Sequence, residues 1–439
     1  MSGRISTLVG FGAFTYFFLT AELLFNECAT AVIGSAASVT LYGIGGFATA
    51  AGYLLWPLTH HHSTAAHRRR ILLAGAVAGA VCCVSLPFLT GTVPLQTGYF
   101  CGMLLAGLVG GACLNGIAEQ VPLKRMGLST AIPYAAAFAL QAIVTALATL
   151  IPDPMAATVT QHVVIALALA TAGWLTPVTE AARPKLVPKV TKKATNYLFA
   201  ALVACLIVCC LYSLIDGIVM GLHANQQLEV QGWVRLIAIP GAIFAGWMAD
   251  ISGGRLFPFA TLAAMVALVV SMYLFTSAET FSAALGCVYF FASFMTMYSI
   301  VTFTAKARFT RHPALWAVAG RAVKYAVGGV FSIISSALFA SLGVRWLTIS
   351  YVALVIVLLV VFFAADLLAA DPGENQAGPA PDALSNREQE VLALLKSGLS
   401  TAEIAAQLFI TKETVRVHIR NITQKTGATR ESLRTTDQH

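Results

Sequence analysis

The sequence contains 439 residues, of which 58% are hydrophobic and 10% are charged, and its formal net charge is +8. Soluble domains carry about 25% charged residues, so this composition excludes a chain that folds entirely in water. The nine cysteines all lie in apolar stretches and form no C-x-x-C pair, so we predict neither disulfides nor a metal site. The sequence has no nucleophile motif and no phosphate-binding loop. We therefore expect no catalytic residues, no cofactor and no enzyme activity.

Twelve apolar stretches are long enough to cross a bilayer as helices, which takes about 20 mostly apolar residues. In chain order they lie near 8–26, 37–58, 71–90, 97–118, 128–151, 157–176, 197–219, 231–249, 256–276, 281–304, 314–340 and 346–368. The first exceeds the apolar region of a signal peptide, so we expect it to be retained. The long basic connection 177–196 divides the stretches into two halves of six, an arrangement typical of secondary transporters.

Lysine and arginine are distributed unequally over the connections between these stretches. Fifteen lie in the N-terminus and one set of alternate connections, whereas only Arg235 and Arg345 lie in the other set. Because cytoplasmic loops are enriched in Lys and Arg, the fifteen mark the cytoplasmic side. An even number of spans then places both termini in the cytoplasm, with the bundle in a bacterial inner membrane.

Ionisable residues inside a span are costly, and each is therefore a functional candidate. Glu22 in the first span and Asp216 in the seventh occupy corresponding places in the two halves, and Asn26 lies about a turn beyond Glu22. Transporter-like folds bind their ligands between the halves. We predict a ligand or proton site at these residues, with structural hydrogen bonding as the alternative.

Two cations, Arg321 and Lys324, share one face of the eleventh span at a spacing of three residues. Arg321 lies about 12 Å from the predicted start of its helix, at a rise of 1.5 Å per residue. A long side chain can snorkel over such a distance to the membrane surface. Snorkelling and the binding of an anionic ligand are the two interpretations of this pair.

A glycine-rich loop follows the eighth span and reads Gly-Trp-Met-Ala-Asp-Ile-Ser-Gly-Gly-Arg over residues 246–255. With Gly246, Asp250, Gly253 and Arg255, it resembles the G-x-x-x-D-x-x-G-x-R signature of the major facilitator superfamily. The resemblance implies a twelve-helix bundle of that fold. The corresponding loop of the first half has Trp56 where the signature has Asp, which argues against ordinary transport.

The composition of the last seventy residues differs from that of the apolar stretches. Residues 371–382 are rich in Pro and Gly and are predicted to form a linker. Beyond it, Ser385 with Glu388 and Ser400 with Glu403 are spaced as capping boxes of two helices, and Gly398 ends the first. Thr411 is predicted to cap a third helix that ends near 425. We therefore divide the chain into 1–370, the linker 371–382 and a small domain, 383–439.

The third helix separates apolar from basic residues. Val415, Ile419 and Ile422 form an apolar stripe, and Lys412, Arg416 and Arg420 form a basic stripe. A basic helix of this kind can enter the major groove of DNA, where arginine binds guanine edges and phosphates. A solvated basic face without a partner is the structural alternative.

The runs Leu384–Leu392, Gly398–Ser400, Glu403–Ala405 and Thr414–His418 together resemble the LuxR-type, NarL/FixJ-like, helix-turn-helix domain. The resemblance implies that Arg416, Val417 and Arg420 face the bases of double-stranded DNA. It places four further residues near phosphates: Lys412, Thr414, His418 and Lys425. Arg387 and Glu388 are expected to stabilise the domain instead. The apolar fourth helix of the family is not evident after Arg430, so dimerisation is expected only on DNA or through the bundle.

The fold expected is therefore all-α: a polytopic membrane bundle of twelve helices, followed by a small soluble helix-turn-helix domain. The corresponding function is a membrane-bound one-component transcription regulator that senses an unidentified small molecule or a membrane signal. The alternative is a secondary transporter with a regulatory DNA-binding tail. A third possibility is that the bundle only anchors the DNA-binding domain.

Overall fold

A computed structural model describes residues 3–179, 192–224, 230, 232–274, 278–369, 386–408 and 410–426. Within these ranges the regular elements are helices, and no strand occurs. The chain divides into two compact units, Met1–Leu367 and Leu368–His439. The predicted linker, Ser385 and the chain after Thr426 lie outside the described residues. The predicted all-helical architecture is confirmed.

The first half of the bundle contains six helices, each of which corresponds to one predicted span. They are α1 (Gly3–Ile33), α2 (Ser35–His62), α3 (Ala65–Ser85), α4 (Thr92–Gln120), α5 (Met126–Ala148) and α6 (Pro154–Leu175). Gly34 separates the first two with a φ of 81°, a conformation that glycine adopts without steric cost. Helix α1 packs against α2, α4, α5 and α6, so it lies at the centre of this half.

The second half is less regular. It contains α7 (Lys192–Ala224), α8 (Ala238–Asp250), α9 (Phe257–Leu274), α10 (Phe281–Met297), α11 (Phe303–Ala307) and α12 (Pro313–Ala369). A 3₁₀ turn, Trp233–Ile237, precedes α8, and a π-helical stretch, Tyr298–Thr302, joins α10 to α11. The predicted spans 314–340 and 346–368 both lie in the continuous helix α12. Sequence analysis placed Arg345 in a connection between them, whereas the helix continues through that position.

Eight helices of the described residues are long and apolar enough to span a membrane, and two shorter apolar helices, Phe257–Val269 and Thr348–Ala364, accompany them. The bundle is therefore a multi-pass membrane unit. The count of twelve crossings stays a prediction, because α8 has only 13 residues and α12 contains two predicted spans.

Basic residues connect helix ends at one end of the bundle, which we call the basic end. Arg4 donates to the Ser129 hydroxyl at 3.1 Å, joining the starts of α1 and α5. Arg69 donates to the Thr176 carbonyl at 2.7 Å, joining the start of α3 to the end of α6. Arg308 donates to two carbonyls at the end of α4. Cations at helix C-termini neutralise the partial negative charge there.

Asp250 forms a polar contact between the two halves, also at the basic end. Its carboxylate accepts from the backbone N–H groups of Gly127 at 2.7 Å and Leu128 at 2.9 Å, at the start of α5. The backbones of Gly127 and Gly246 approach too closely there for either residue to carry a Cβ atom. The signature aspartate thus caps a helix of the opposite half, whereas Trp56, at its counterpart position, is buried and its indole N–H has no described acceptor.

The second unit is a three-helix domain made of α13 (Asn386–Lys396), α14 (Thr401–Gln407) and α15 (Lys412–Thr426). Each helix contributes an apolar face to a core of its own, composed of Val391, Leu395, Ile404, Ala405, Val415, Ile419 and Ile422. The predicted stripe of α15 is therefore the buried face. This small core holds α14 and α15 together.

Candidate functional site

The turns of the three-helix unit are determined by local hydrogen bonds. Gly398 adopts a φ of 86° after α13, and Leu399 N–H donates back to the Leu394 carbonyl at 3.3 Å, as in a Schellman motif. The predicted capping box is present, since Ser400 N–H donates to Glu403 at 2.7 Å and Glu403 N–H donates to the Ser400 hydroxyl at 3.3 Å. These bonds from Ser400 hold the pKa of Glu403 below its usual value.

The start of α15 is capped by Thr411, as predicted from the sequence. Its hydroxyl accepts from Thr414 N–H at 3.1 Å. Arg387 donates to Glu390 at 2.7 Å and to the Leu408 carbonyl at 2.6 Å, so it joins α13 to the end of α14. This contact agrees with the stabilising role expected of Arg387 and leaves α15 as the basic face of the unit.

The face of α15 opposite its core carries most of the residues predicted to contact DNA. Lys412, Arg416, Val417 and Arg420 are exposed, and Thr414 and His418 are half-buried. The Arg416 side chain is 65% exposed and forms a 2.9 Å ion pair with Glu413, which is weak in water. The Lys425 side chain lies outside the described part of the unit.

Val417 is an apolar residue on this exposed basic face, where it retains 40% exposure. It lies between Arg416 and Arg420 along α15 and takes no part in the domain core. An aliphatic group in such a position matches the methyl group of thymine, which is the apolar feature of the major groove.

In the bundle, Glu22 and Asp216 line one cavity together with Lys324, as their matching positions in the two halves suggested. We call this the Glu22 cavity; its walls also include Tyr42, Tyr212 and Tyr325. The Tyr212 hydroxyl donates to Asp216 at 3.0 Å. Asn26 is buried on α1 but lines neither this cavity nor the second one described below.

Lys324 lines this cavity with both carboxylates, Arg235 lies near enough to attract both, and Arg321 lies near enough to attract Glu22. Arg235 lies in the 3₁₀ turn before α8 and donates to the Leu19 carbonyl of the first half at 3.3 Å. Sequence analysis placed Arg235 in an outer connection, whereas its guanidinium lies over the rings of Phe138 and Tyr289 inside the bundle. The one sequence feature that could have indicated this role of Arg235 is its rarity, because few cations lie in the connections on the less basic side of the bundle.

A second cavity, the Arg321 cavity, lies between the halves and has room for about one water molecule. Its walls include Phe14, Phe18, Tyr53, Tyr134, Ile300 and Arg321. Arg321 is 7% exposed and donates to the Tyr325 hydroxyl, one turn further along α12. The aromatic side chains inside the bundle surround its guanidinium, and this burial favours an internal role over snorkelling.

Tyr325 lines the Glu22 cavity and contacts both cations. Lys324 Nζ lies 4.2 Å and Arg321 Cζ 4.8 Å from the centre of its ring. Tyr53 stacks on the Tyr325 ring, with ring centres 5.6 Å apart. Sequence analysis did not identify Tyr325, although an aromatic residue beside Lys324 and one turn from Arg321 indicates a cation–π contact. Among the described residues, no group of three or more His, Cys, Asp or Glu side chains could hold a metal ion.

Residues 382–432 match the family described as "GerE: Bacterial regulatory proteins, luxR family". The same region is 57% identical over 44 residues to a nitrate/nitrite response regulator protein homolog of Haemophilus influenzae, and 52% identical over 44 residues to the spore germination protein GerE of Bacillus subtilis. Residues 382–432 are a LuxR-type helix-turn-helix domain. The matched segments cover 10% of this chain, 21% of the first relative and 60% of the second.

The LuxR-type domain is joined to a bundle of transporter-like fold. Among solved structures, the human organic anion transporter MFSD10 (TETRAN) superimposes with a TM-score of 0.58 and 13% identity, over 82% of this chain and 97% of that one. At this identity the similarity concerns the fold alone: the bundle has the fold of that transporter. A LuxR-type domain and a bundle of transporter-like fold therefore occur in one chain.

Proposed function

We propose that this protein is a membrane-bound one-component transcription regulator. The observation that carries the proposal is the joining, in one chain, of a LuxR-type domain with an exposed basic helix to a bundle with charged cavities between its halves. In this proposal Arg416, Val417 and Arg420 read base edges of promoter DNA, while Lys412, Thr414, His418 and Lys425 contact phosphates. No receiver domain is evident between the two parts, so the signal enters through the bundle.

Sensing requires a bundle whose states a ligand can distinguish, because a ligand shifts an equilibrium only by its differential affinity. The Glu22 cavity supports this, since its wall combines Glu22 from the first half with Asp216 and Lys324 from the second. A movement of the halves changes the distances among these charges. We propose that the ligand or proton bound there changes the occupancy of promoter DNA by the DNA-binding domain.

Neutral variants of the two carboxylates test the sensing role. We expect Glu22→Gln and Asp216→Asn to shift basal output at least about fivefold, the change produced by about 1 kcal/mol of coupling, with normal binding of the LuxR-type domain to DNA. Output is measured from a reporter whose operator is selected in vitro with residues 382–439. Glu27→Gln is the matched control, because Glu27 is an exposed carboxylate on α1.

Membrane abundance is measured in parallel with reporter output. Normal abundance and unchanged output for both cavity variants would contradict the sensing role. Reduced abundance alone, with output per molecule unaltered, would indicate that the carboxylates only stabilise the bundle.

We also propose that both termini and the LuxR-type domain lie in the cytoplasm, with the bundle in the inner membrane. Two observations support this topology. Lys and Arg are distributed fifteen to two over alternate connections, and a domain that binds promoter DNA has to lie in the cytoplasm. A reporter enzyme that is active only in the periplasm, fused after His439, is expected to be silent. Strong activity of that fusion would contradict this topology.

Transport with a regulatory DNA-binding tail is the second candidate. The contact of Asp250 with the start of α5 supports it, because this contact can form and break between two arrangements of the halves. The burial of Trp56 at the counterpart position argues against symmetric rocking. Accumulation of a labelled solute in vesicles containing the protein, abolished by Asp250→Ala, would favour transport.

A further inference from the structure

The basic end of the bundle carries two sets of cations that differ in their contacts. In the first set, arginines such as Arg69 and Arg308 donate hydrogen bonds to carbonyl groups at helix ends, so they belong to the packing. Side chains of the second set are exposed at or beside the connections between helices, and among the described residues no carboxylate forms an ion pair with them. We call this second set the basic surface: Arg70, Lys124, Arg125, Arg255 and Arg311.

The acidic side chains described at this end of the bundle are already engaged. Glu119, near the end of α4, accepts from the Thr179 hydroxyl at 2.8 Å. Asp250 accepts from two backbone N–H groups at the start of α5. Asp153 and Glu279 precede α6 and α10 at the opposite end. Positive charge is therefore in excess on the basic surface, and a polyanion has the complementary charge.

The chain leaves the bundle at this same end. Phe363, close to the end of α12, packs against Phe259 with ring centres 6.0 Å apart, and Phe362 packs against Tyr298 with ring centres 5.6 Å apart. Phe259 lies at the start of α9, four residues after Arg255. The segment that leads to the LuxR-type domain therefore begins beside the basic surface.

DNA that the LuxR-type domain binds stays within reach of the basic surface. Sixteen residues separate Ala369, the last residue of α12, from Asn386, the first residue of α13. Even a fully extended chain of this length spans at most about 60 Å. A short tether raises the effective concentration of the tethered partner to the order of millimolar. Double-stranded DNA carries one negative charge per about 1.7 Å of its axis, so it presents many phosphates to cations at this distance.

The LuxR-type domain by itself offers a small contact surface for DNA. Its predicted contacts all come from one helix, α15, and single DNA-binding modules bury less surface than dimers do. Contacts with phosphates add affinity without carrying sequence information. Cations on the bundle would therefore strengthen binding to any DNA, while Arg416 and Arg420 still select the sequence.

We propose that the basic surface of the bundle binds the phosphate backbone of the DNA that the LuxR-type domain holds. This inference rests on the proposed function, which places the basic end in the cytoplasm, and deepens it by naming a second surface for the DNA partner. The bundle contributes this surface by itself, so no contact between the two units is required. Anionic lipid headgroups have charge of the same sign as DNA, but the attachment of a DNA-binding domain at this end favours DNA.

The salt dependence of binding measures phosphate contacts directly. Each contact contributes about 0.9 to the slope of log K against log salt concentration. The full chain in nanodiscs of phosphatidylcholine, a lipid without net charge, is compared with the soluble 382–439 fragment on the same selected operator. We expect the slope for the full chain to be steeper by about 2 or more, the effect of at least two additional phosphate contacts. Equal slopes for the full chain and the fragment would overturn the proposal.

Neutral variants assign the additional contacts to the basic surface. The double variant Lys124→Gln, Arg125→Gln should lower the slope of the full chain by about 1–2 and weaken binding to operator and random DNA equally. Its thermal unfolding midpoint should be unchanged, because both side chains are exposed. The exchange Lys124→Arg, Arg125→Lys keeps both charges and is the matched control, with the slope of the unmodified chain.

A second double variant, Arg255→Gln with Arg311→Gln, tests two other connections of the basic surface. It should also lower the slope of the full chain. If both double variants retain the full excess of slope over the fragment, the contacts arise elsewhere and the proposal is wrong.

Nanodiscs that contain phosphatidylglycerol distinguish DNA from lipid headgroups. If this anionic lipid raises the thermal midpoint of the full chain, and the Gln variants lose that increase but keep the DNA slope, the cations bind headgroups and the proposal is overturned. The same titrations test the regulatory proposal through the preference of the full chain for operator over random DNA. Absence of that preference contradicts the regulatory proposal alone, because phosphate contacts are independent of sequence.

Discussion

The two units of this protein use arginine in opposite ways. In the LuxR-type domain, Arg416 and Arg420 extend into solvent from a helix whose other face forms the core. In the bundle, Arg321 is enclosed among aromatic rings between two sets of helices. An exposed cation costs the fold almost nothing and stays accessible to a large polyanion. A buried cation destabilises the fold unless polar or charged groups compensate it, and the residues around it determine which groups can do so.

The sharpest test of this contrast is to remove the exposed arginines. Arg416→Ala and Arg420→Ala should each weaken binding to a selected operator by about 1–3 kcal/mol and relax base preference, without changing the stability of the domain. Lys412→Ala should weaken binding evenly across sequences and reduce its salt dependence. Fluorescence anisotropy with a soluble 382–439 fragment, which contains its own core, measures all three.

Lys396→Ala is the matched control, because Lys396 is an exposed cation on α13, away from α15. The affinity of the Lys396→Ala fragment for the operator should equal that of the unmodified fragment. If either arginine variant still prefers the operator over random DNA as strongly as before, the assignment of base contacts is wrong.

A second test compares two carboxylates that each cap a helix with two backbone hydrogen bonds. Asp250 bonds across the halves to the start of α5, whereas Asp153 caps α6 at an exposed position and bonds to Met155 and Ala156. Asp250→Ala should cost about 1.5–3 kcal/mol, since hydrogen bonds to a charged group are lost at a close helix contact. Asp153→Ala should cost about 1 kcal/mol.

Thermal unfolding of the purified full chain distinguishes the two. Equal losses would mean that Asp250 is an ordinary cap with no special role between the halves. A larger loss for Asp250→Ala, together with altered reporter output, would connect this contact to signalling.

The smallest effect is expected at the turn between α13 and α14. Gly398→Ala places a Cβ atom in the left-handed conformation, which costs about 1–2 kcal/mol, although nothing lies within 4 Å of that atom. Urea unfolding of the 382–439 fragment measures the loss, and Ser397→Ala should remain within about 0.5 kcal/mol of the unmodified fragment. If Gly398→Ala leaves the free energy of unfolding unchanged, the turn adjusts its backbone without cost.

The features that sequence analysis recovered are those governed by neighbours along the chain. The apolar stripe of α15, the Ser400–Glu403 capping box and the left-handed Gly398 each depend on spacings of five residues or fewer, and all three are present. Apolar length likewise indicated the helices of the bundle. The division of residues 314–368 into two spans stays a prediction, because one helix, α12, covers both.

The sites in the bundle depended on more than spacing. Matching depth in the two halves indicated that Glu22 and Asp216 belong together, because transporter-like halves repeat their geometry. The same reasoning could not predict that Lys324 and Arg321 line different cavities, because two side chains on one helix face can turn in different directions. It also placed Arg235 outside the bundle.

What the sequence determined by itself is therefore the pair of units, their helices and the basic face of α15, because local hydrogen bonding and the hydropathy of each stretch encode them. Only the tertiary structure decided which charges meet. Lys324 faces the carboxylates and Arg321 faces aromatic rings, because side-chain direction at a helix contact is chosen by the helices packed against it. The different surroundings of these two cations are a property of that packing.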